Sequence, residues 1–214
     1  MATVKKADGL WNTPAIAAIP APSQDTRIQT INYKAAIDNS GNVMLIFHIS
    51  YMNSLRSLQY TRMLAQSNWL EPEELSKVGV QPTIVMNSSG AGMMAWNDGS
   101  FIIAAWFDKN GWQGRKRFSD NIAMVDNPFL IMDEKGNAAV FWEQYLGYKK
   151  IWGSIYKPTK GWSTSEIISN EDLQASLKSV SGLSHGCSAA LWMQGEDIVG
   201  NFGIKAWILP FTFE

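Results

Sequence analysis

Four glycines recur along this chain at nearly constant spacing, and a large aromatic residue follows each of them at one fixed distance. The glycines are Gly41, Gly90, Gly136 and Gly186, which lie 49, 46 and 50 residues apart. The residue six positions later is Phe47, Trp96, Trp142 or Trp192. Chance alternation of apolar residues does not keep one offset four times. We therefore interpret the 214-residue chain as four copies of one unit.

The third copy, residues 127–168, has the clearest pattern. Apolar runs at 129–132, 138–142, 151–156 and 162–168 are separated by a turn at 133–136, a polar loop at 143–150 and a turn at 157–161. In the first turn, an aspartate can bond its own backbone and a glycine can adopt positive φ. Four short strands in about forty residues match one blade of a propeller.

The repeat predicts an all-β fold, a four-bladed β-propeller with four antiparallel strands per blade and one domain over 1–214. The predicted blades are 24–78, 79–120, 121–170, and 171–214 completed by residues 9–19. The fourth copy ends after its third strand, and Trp11 opens a segment like the outer strands of the other copies. An N-terminal strand is therefore expected to complete the last blade and protect its edge. Two alternatives stay open: a ring completed by a second chain, and a piece of a longer array.

Composition narrows the classes of function. Ten tryptophans and only 17% charged residues suit rigid aromatic packing between layers. A net charge of −1 predicts no general attraction to nucleic acid. A single cysteine, Cys187, allows no internal disulfide. No apolar run is long enough for membrane insertion, and no signal peptide is visible in residues 1–10, so both a secreted and a cytoplasmic location stay open.

Some of these motifs resemble a known repeat. The elements Trp142-x-Gln144-x-x-Gly147, Ile151-x-x-Ser154-x-Tyr156 and Gly161-Trp162 resemble the tandem β-propeller repeats of bacterial secreted and surface proteins. They are loosely similar to the Asp-box repeats of sialidase-like propellers, although no copy reads Ser-x-Asp-x-Gly-x-x-Trp. The blade count is similar to that of hemopexin domains, which are binding modules. The resemblance implies a repeat scaffold that binds on one face.

The best candidate site joins the loops after the second strands to the residues that open the first strands. Those loops are 48–57, 97–100, 143–150 and 194–201. In an up-and-down blade the two sets share one end. Tyrosine offers a rigid face with a polar tip, and amides suit sugar or peptide contacts. The predicted ligand-binding residues are Asn32, Gln81, Asn127, Asn97, Asp98, Glu143, Gln144, Tyr145, Tyr148 and Tyr51.

We expect a non-enzymatic module that binds a protein or carbohydrate through this face, as a monomer or small homo-oligomer, without cofactor or metal. The alternative is a propeller-type glycoside hydrolase, with Asp98, Glu143 and Glu196 ringing one mouth of the channel. Gly182–Gly186 fits G-x-S-x-G, but a strand follows it where the nucleophile elbow needs a helix. The basic run Arg115–Arg117 occurs in one copy only, on an outer strand, where it favours edge protection over nucleic-acid binding.

Overall fold

The structure is a computed structural model that describes residues 28–52, 56–65, 67–119, 124–170, 172–182, 187–195 and 202–210. Within those ranges the chain forms strands and no helix. The strands lie in four antiparallel sheets, and each sheet corresponds to one copy of the repeat. The all-β prediction is therefore confirmed, and so is the division into successive antiparallel sheets.

Sheet 1 contains β1 (Ile28–Ile37), β2 (Val43–Tyr51), β3 (Arg56–Met63) and β4 (Glu73–Ser76). Sheet 2 contains β5 (Val80–Met86), β6 (Gly92–Asn97), β7 (Ile102–Asp108) and β8 (Gly111–Phe118). Sheet 3 contains β9 (Val125–Met132), β10 (Ala138–Leu146) and β11 (Tyr148–Lys157), whose outer side pairs with the short strands β12 (Gly161–Trp162) and β13 (Glu166–Ile167). Sheet 4 contains β14 (Gln174–Gly182), β15 (Cys187–Gly195) and β16 (Phe202–Pro210). The predicted strand at 9–19 lies outside the described residues.

The turns between the first and second strands explain the recurring glycines. Gly41, Gly90 and Gly136 have φ of 85°, 84° and 80°, values that residues with a Cβ rarely adopt. In the first turn, Asp38 Oδ1 accepts bonds from the amides of Ser40 and Asn42, at 2.8 and 2.9 Å. Asp133 makes the same two bonds in the third turn. Each of these three turns is therefore held by its own aspartate or, in the second sheet, by Asn87.

The sheets stack in chain order, and in sheets 2, 3 and 4 the recurring tryptophan packs on the preceding sheet. Trp96 of sheet 2 packs with Ile46 and Leu58 of sheet 1. Trp142 of sheet 3 packs in the cluster that contains Phe118 of sheet 2. Trp192 of sheet 4 packs in the cluster that contains residues of sheet 3. Because side chains alternate along a strand, the residue at six positions after the glycine faces the preceding sheet and its neighbours face the following one.

The hairpin between β10 and β11 corrects one detail of the sequence reading. Residues 143–150 were expected to be a loop, yet the two strands stay paired up to Leu146 and Tyr148. Gly147 alone forms the turn, with a φ of 77°. The polar residues of this segment interrupt the apolar pattern that indicates a strand, because they lie at the end of the sheet, where the hairpin turns. The segment is thus a paired hairpin with a tight tip.

Candidate functional site

The candidate face is the end of the sheets where the first strands begin and the second strands end. Strand pairing places Asn32 opposite His48, Val80 opposite Asn97, and Asp126 opposite Glu143. The first strands of neighbouring sheets also contact one another in sequence, β1 with β5, β5 with β9, and β9 with β14. The openings of the first strands therefore lie side by side along this face.

Two of the residues that open the first strands have an unusual backbone conformation. Gln81 and Asn127 have φ of 53° and 50°, and each precedes a proline at a break in the strand register. Left-handed conformations in residues other than glycine are uncommon and require support from their surroundings. Here Gln81 Oε1 lies 3.3 Å from the donating amide of Asn127 and 3.5 Å from Asn97 Nδ2. Asn97 Nδ2 also donates to the carbonyl of Val125, at 2.7 Å.

These amides therefore join sheet 2 to the opening of sheet 3. This hydrogen-bond network has a signal in the sequence. In two copies, the residue nine positions before the recurring glycine is a Gln or Asn that a Pro follows. The strand register breaks near this pair. Asn32, the matching residue of sheet 1, is exposed and is followed by a tyrosine. The three positions are thus not equivalent. The Gln81 side chain accepts from the backbone amide of Asn127 and so joins two sheets, whereas the Asn32 side chain is exposed to solvent.

Glu143 makes the corresponding link between sheets 3 and 4. Its side chain is 1% exposed, and Oε1 accepts bonds from the amide of Leu177 at 2.7 Å and from Ser176 Oγ at 3.2 Å. Oε2 lies 2.9 Å from Nζ of Lys149, whose side chain is 38% exposed. Such hydrogen bonds and the nearby ammonium compensate a buried carboxylate for the loss of water. Sequence reasoning placed this carboxylate on a solvated loop and missed its neighbours in another sheet.

Asp98 and Gln144 each accept a hydrogen bond from a buried tryptophan. Trp96 Nε1 donates to Asp98 Oδ1 at 3.1 Å, and Trp142 Nε1 donates to Gln144 Oε1 at 3.2 Å. Gln194 does the same for Trp192, at 3.0 Å. In sheet 1 the matching pair is Phe47 and Ile49, which has neither donor nor acceptor. A polar acceptor thus occurs two residues after the aromatic only where that aromatic carries an N–H, a signal already visible in the sequence.

His48 occupies the position of Asn97 and Glu143 in sheet 1. His48 is 4% exposed, its Nε2 lies 3.2 Å from Ser50 Oγ, and its Nδ1 has no hydrogen-bond partner among the residues that the structure describes. Burial lowers the pKa of His48, and the positive charge of Arg56 lowers it further. A buried imidazole that is already short of partners favours the neutral form.

An exposed apolar cluster lies at the tip of the β10–β11 hairpin. Tyr145, Leu146 and Tyr148 are 49%, 41% and 45% exposed, and Met124 is 81% exposed. The carbonyl of Met124 accepts a hydrogen bond from the amide of Tyr145, at 2.9 Å, which holds this residue beside the hairpin. We call these four residues the tip cluster. In this part of the candidate face, large side chains are exposed to solvent while the backbone of the hairpin remains hydrogen-bonded.

The predicted site residues therefore fall into three groups. Asn32, Tyr145 and Tyr148 are exposed; Tyr51, Gln81, Asp98 and Asn127 are half-buried; Asn97, Glu143 and Gln144 are buried. Most of the buried and half-buried polar groups are engaged in bonds within or between sheets. Among the predicted residues, Asn32, Tyr145 and Tyr148 are thus the most accessible to a ligand from solvent.

Two of the three carboxylates named for the hydrolase alternative already have hydrogen-bond partners within the protein. Asp98 Oδ1 accepts from Ser76 Oγ as well as from Trp96, and Glu143 is buried between sheets. Glu196 lies outside the described residues. Among the residues that the structure describes, no group of three or more His, Cys, Asp or Glu side chains is arranged to hold a metal ion. The same residues contain no helix long and apolar enough to cross a membrane.

Comparison with known proteins adds no family: no protein-family model matches the chain, and neither does any curated protein.

Proposed function

We propose that this chain is a non-catalytic β-propeller module that binds a protein partner through the tip cluster. The four sheets would be the blades. Three features support that architecture. Each sheet is an up-and-down meander, the first strands contact one another in chain order, and sheets 2, 3 and 4 each pack one face on the preceding sheet. Propellers carry binding surfaces on the loops at the ends of their blades.

The observation that carries the proposal is the exposure of Tyr145, Leu146 and Tyr148 on one paired hairpin, with the exposed Met124 held beside it. Tyrosine and methionine are enriched at protein interfaces, and tyrosine ranks among the residues that supply most binding energy. The hairpin stays paired to its last residues, so little conformational entropy is lost when the tip binds.

A protein fits this face better than a glycan or a scissile sugar does. Carbohydrate sites need several free hydrogen-bonding groups, whereas Asn97, Glu143 and Gln144 are buried and already bonded. A hydrolase needs an acid and a second carboxylate facing one cleft. Asp98 and Glu143 instead stabilise a tryptophan and the neighbouring sheet. The side chains of the tip cluster, in contrast, are exposed and make no comparable contact with another sheet among the described residues.

The proposal is tested with two Leu→Ser variants that differ only in the position of the substituted leucine. Leu146→Ser alters the tip, where the leucine is 41% exposed, and Leu64→Ser alters a leucine elsewhere that is 49% exposed. Partners captured by the wild-type protein are identified and titrated against both variants, and a glycan array is probed in parallel. Loss of an anchor residue of about 2 kcal/mol weakens Kd roughly 30-fold.

We expect Leu146→Ser, and more strongly Tyr145→Ser, to weaken one protein partner while Leu64→Ser does not. Binding that is unchanged in the tip variants overturns the choice of face. Glycan signals that depend on Tyr145, with no protein partner, overturn the choice of ligand. Hydrolysis of a glycoside that is lost in Asp98→Asn overturns the non-catalytic assignment.

A further inference from the structure

The outer strand of sheet 2 has a long open edge. Strand β8 pairs with β7 from Gly111 to Phe118, and among the described residues no strand pairs with its other side. The outer strands of sheets 1 and 3 are shorter: β4 has four residues, and β12 and β13 have two each. Short edges present few unpaired N–H and C=O groups, whereas β8 has eight residues. Among these three sheets, sheet 2 therefore has the most extended edge for an added strand.

Three consecutive cations lie on this edge, Arg115, Lys116 and Arg117. All three are exposed, and none forms a salt bridge with a carboxylate among the described residues. They lie within the regular part of the pairing with β7, which runs from Gly114 to Phe118. Equal charges directly opposite each other across two strands are destabilising. The run therefore opposes pairing with a second copy of β8, and it favours a strand that carries carboxylates at the matching positions.

The three cations are divided between the two faces of sheet 2. The guanidinium of Arg117 lies 4.1 Å from the centre of the Phe101 ring, which packs against the cluster shared with sheet 1. Phe118 packs in the cluster shared with sheet 3. Because side chains alternate along a strand, Arg115 lies on the side of Arg117, and Lys116 lies on the opposite side. A strand added in the plane of the sheet meets all three cations at once, since its own side chains alternate in the same way.

We propose that β8 binds an extended, acidic segment of a partner protein, which joins the four strands of sheet 2 as one more strand. Main-chain hydrogen bonds to the open edge supply affinity, and carboxylates opposite the three cations supply specificity. A nucleic acid fits less well, because its phosphates would approach one face of the sheet while the cations are divided between two. Stacking of bases needs an uncovered ring, and Arg117 already covers Phe101.

The test uses blocked synthetic peptides as probes. The acidic peptide is Thr-Val-Glu-Glu-Glu-Val-Thr, and Thr-Val-Gln-Gln-Gln-Val-Thr is its neutral control. Binding of each labelled peptide to the full chain is measured by fluorescence anisotropy at low and at physiological salt. Three pairs of opposite charge across the strands predict a Kd about tenfold lower for the acidic peptide. This difference should shrink as the salt concentration rises.

A charge-reversed protein locates the binding surface. One variant combines Arg115→Glu with Lys116→Glu, and the control variant combines Lys135→Glu with Lys160→Glu, which reverses two exposed lysines in turns of sheet 3. All four side chains are exposed, so both variants are expected to fold, which circular dichroism checks. We expect the β8 variant to lose the acidic peptide and to bind Thr-Val-Lys-Lys-Lys-Val-Thr instead. The control variant should keep the preference of the wild type.

N-methylated peptides separate strand addition from simple charge attraction. A strand has two edges, and methyl groups on alternate amides block only one of them. The acidic peptide methylated on alternate amides should therefore still bind through its other edge. The acidic peptide methylated on consecutive amides has both edges blocked and should lose binding, although its charge is unchanged.

Any of the following results overturns the inference. Absence of binding by the acidic peptide, or equal binding of the neutral peptide, excludes a strand selected by charge. Binding that survives the charge reversal of β8 belongs to another surface. Equal binding of the peptide methylated on consecutive amides shows charge attraction without strand addition. Tighter binding of a single-stranded oligothymidylate that is lost in the β8 variant assigns the edge to nucleic acid.

This edge is separate from the tip cluster, so the two proposals fail independently. Leu146→Ser and Tyr145→Ser should leave binding of the acidic peptide unchanged. The charge reversal of β8 should likewise leave unchanged the affinity of a partner captured by the tip cluster.

Discussion

The hydrogen bond between Trp142 and Gln144 allows a quantitative test of how the repeat is stabilised. Trp142 is 0% exposed and Gln144 is 3% exposed, and the indole N–H donates to the amide oxygen at 3.2 Å. Replacing Gln144 by isoleucine leaves a buried donor without its partner, which costs about 1–3 kcal/mol. For a chain of this size, a loss near 2 kcal/mol lowers Tm by roughly 4–8 °C.

Sheet 1 supplies the compensating change, because Phe47 and Ile49 occupy the matching positions without donor or acceptor. In the background of Trp142→Phe, Gln144→Ile removes an acceptor that has already lost its donor. Replacing both partners by apolar groups is nearly neutral for the hydrogen-bond contribution. We therefore expect the double-mutant cycle to give a coupling free energy of about 1–3 kcal/mol.

The four proteins of the cycle are compared by urea unfolding at a single pH, with the free energy of unfolding taken from each curve. Gln113→Ile, on the exposed outer strand β8, is the control and should change stability by less than about 0.5 kcal/mol. A coupling below about 0.5 kcal/mol would refute the reasoning. It would mean that the tryptophan is held by packing on Phe118 and Trp152 alone.

Two further predictions follow from the packing and from the buried histidine. Gly92→Ala should lower the free energy of unfolding by about 1–3 kcal/mol, because the added Cβ would lie 2.3 Å from Phe107 Cζ and 2.7 Å from the carbonyl oxygen of Val85. Gly182→Ala is the control, since the atom nearest to its added Cβ is 3.7 Å away. Equal losses of stability in the two variants would contradict the steric argument. The pKa of His48 is lower in the folded chain than its ordinary value of 6.5, so the unfolded chain binds this proton more readily. His48 therefore contributes stability above pH 6.5, and this contribution is lost as the pH falls from 6.5 towards the pKa of the folded state. Urea midpoints measured from pH 8 to pH 5 should therefore fall less steeply in His48→Asn, which carries the side chain found at position 97, than in the wild type, and identical slopes would count against this source of acid sensitivity.

Much of the local structure could be predicted from the sequence. The regular glycines indicated the turns, and Gly41, Gly90 and Gly136 all have the positive φ that those turns require. The apolar runs indicated the first three strands of each sheet, because a buried strand shows its pattern within a few residues. The segment 143–150 was misread because polar residues end a hairpin whose pairing is set by Gly147 and not by apolar alternation.

The candidate site was harder to predict, because its polar residues have partners in other sheets. Glu143 looks like a loop carboxylate in the sequence, and only the approach of Leu177 makes it a buried acceptor. Gln144 has a local signal, since an acceptor follows each recurring tryptophan and is absent after Phe47. Tyr145 and Tyr148 lie at the end of the sheet where the sequence places them, but their exposure depends on how far the hairpin extends.

The sequence by itself determined a chain of similar antiparallel units with glycine turns, since spacing and alternation are local properties that each copy carries within itself. Only the tertiary structure decided which polar groups form hydrogen bonds between sheets, as at Glu143, and which large side chains remain exposed, as at Tyr145. The physical reason is that burial and hydrogen bonding depend on which surface lies opposite a residue. One repeat cannot specify that surface until its neighbours are in place.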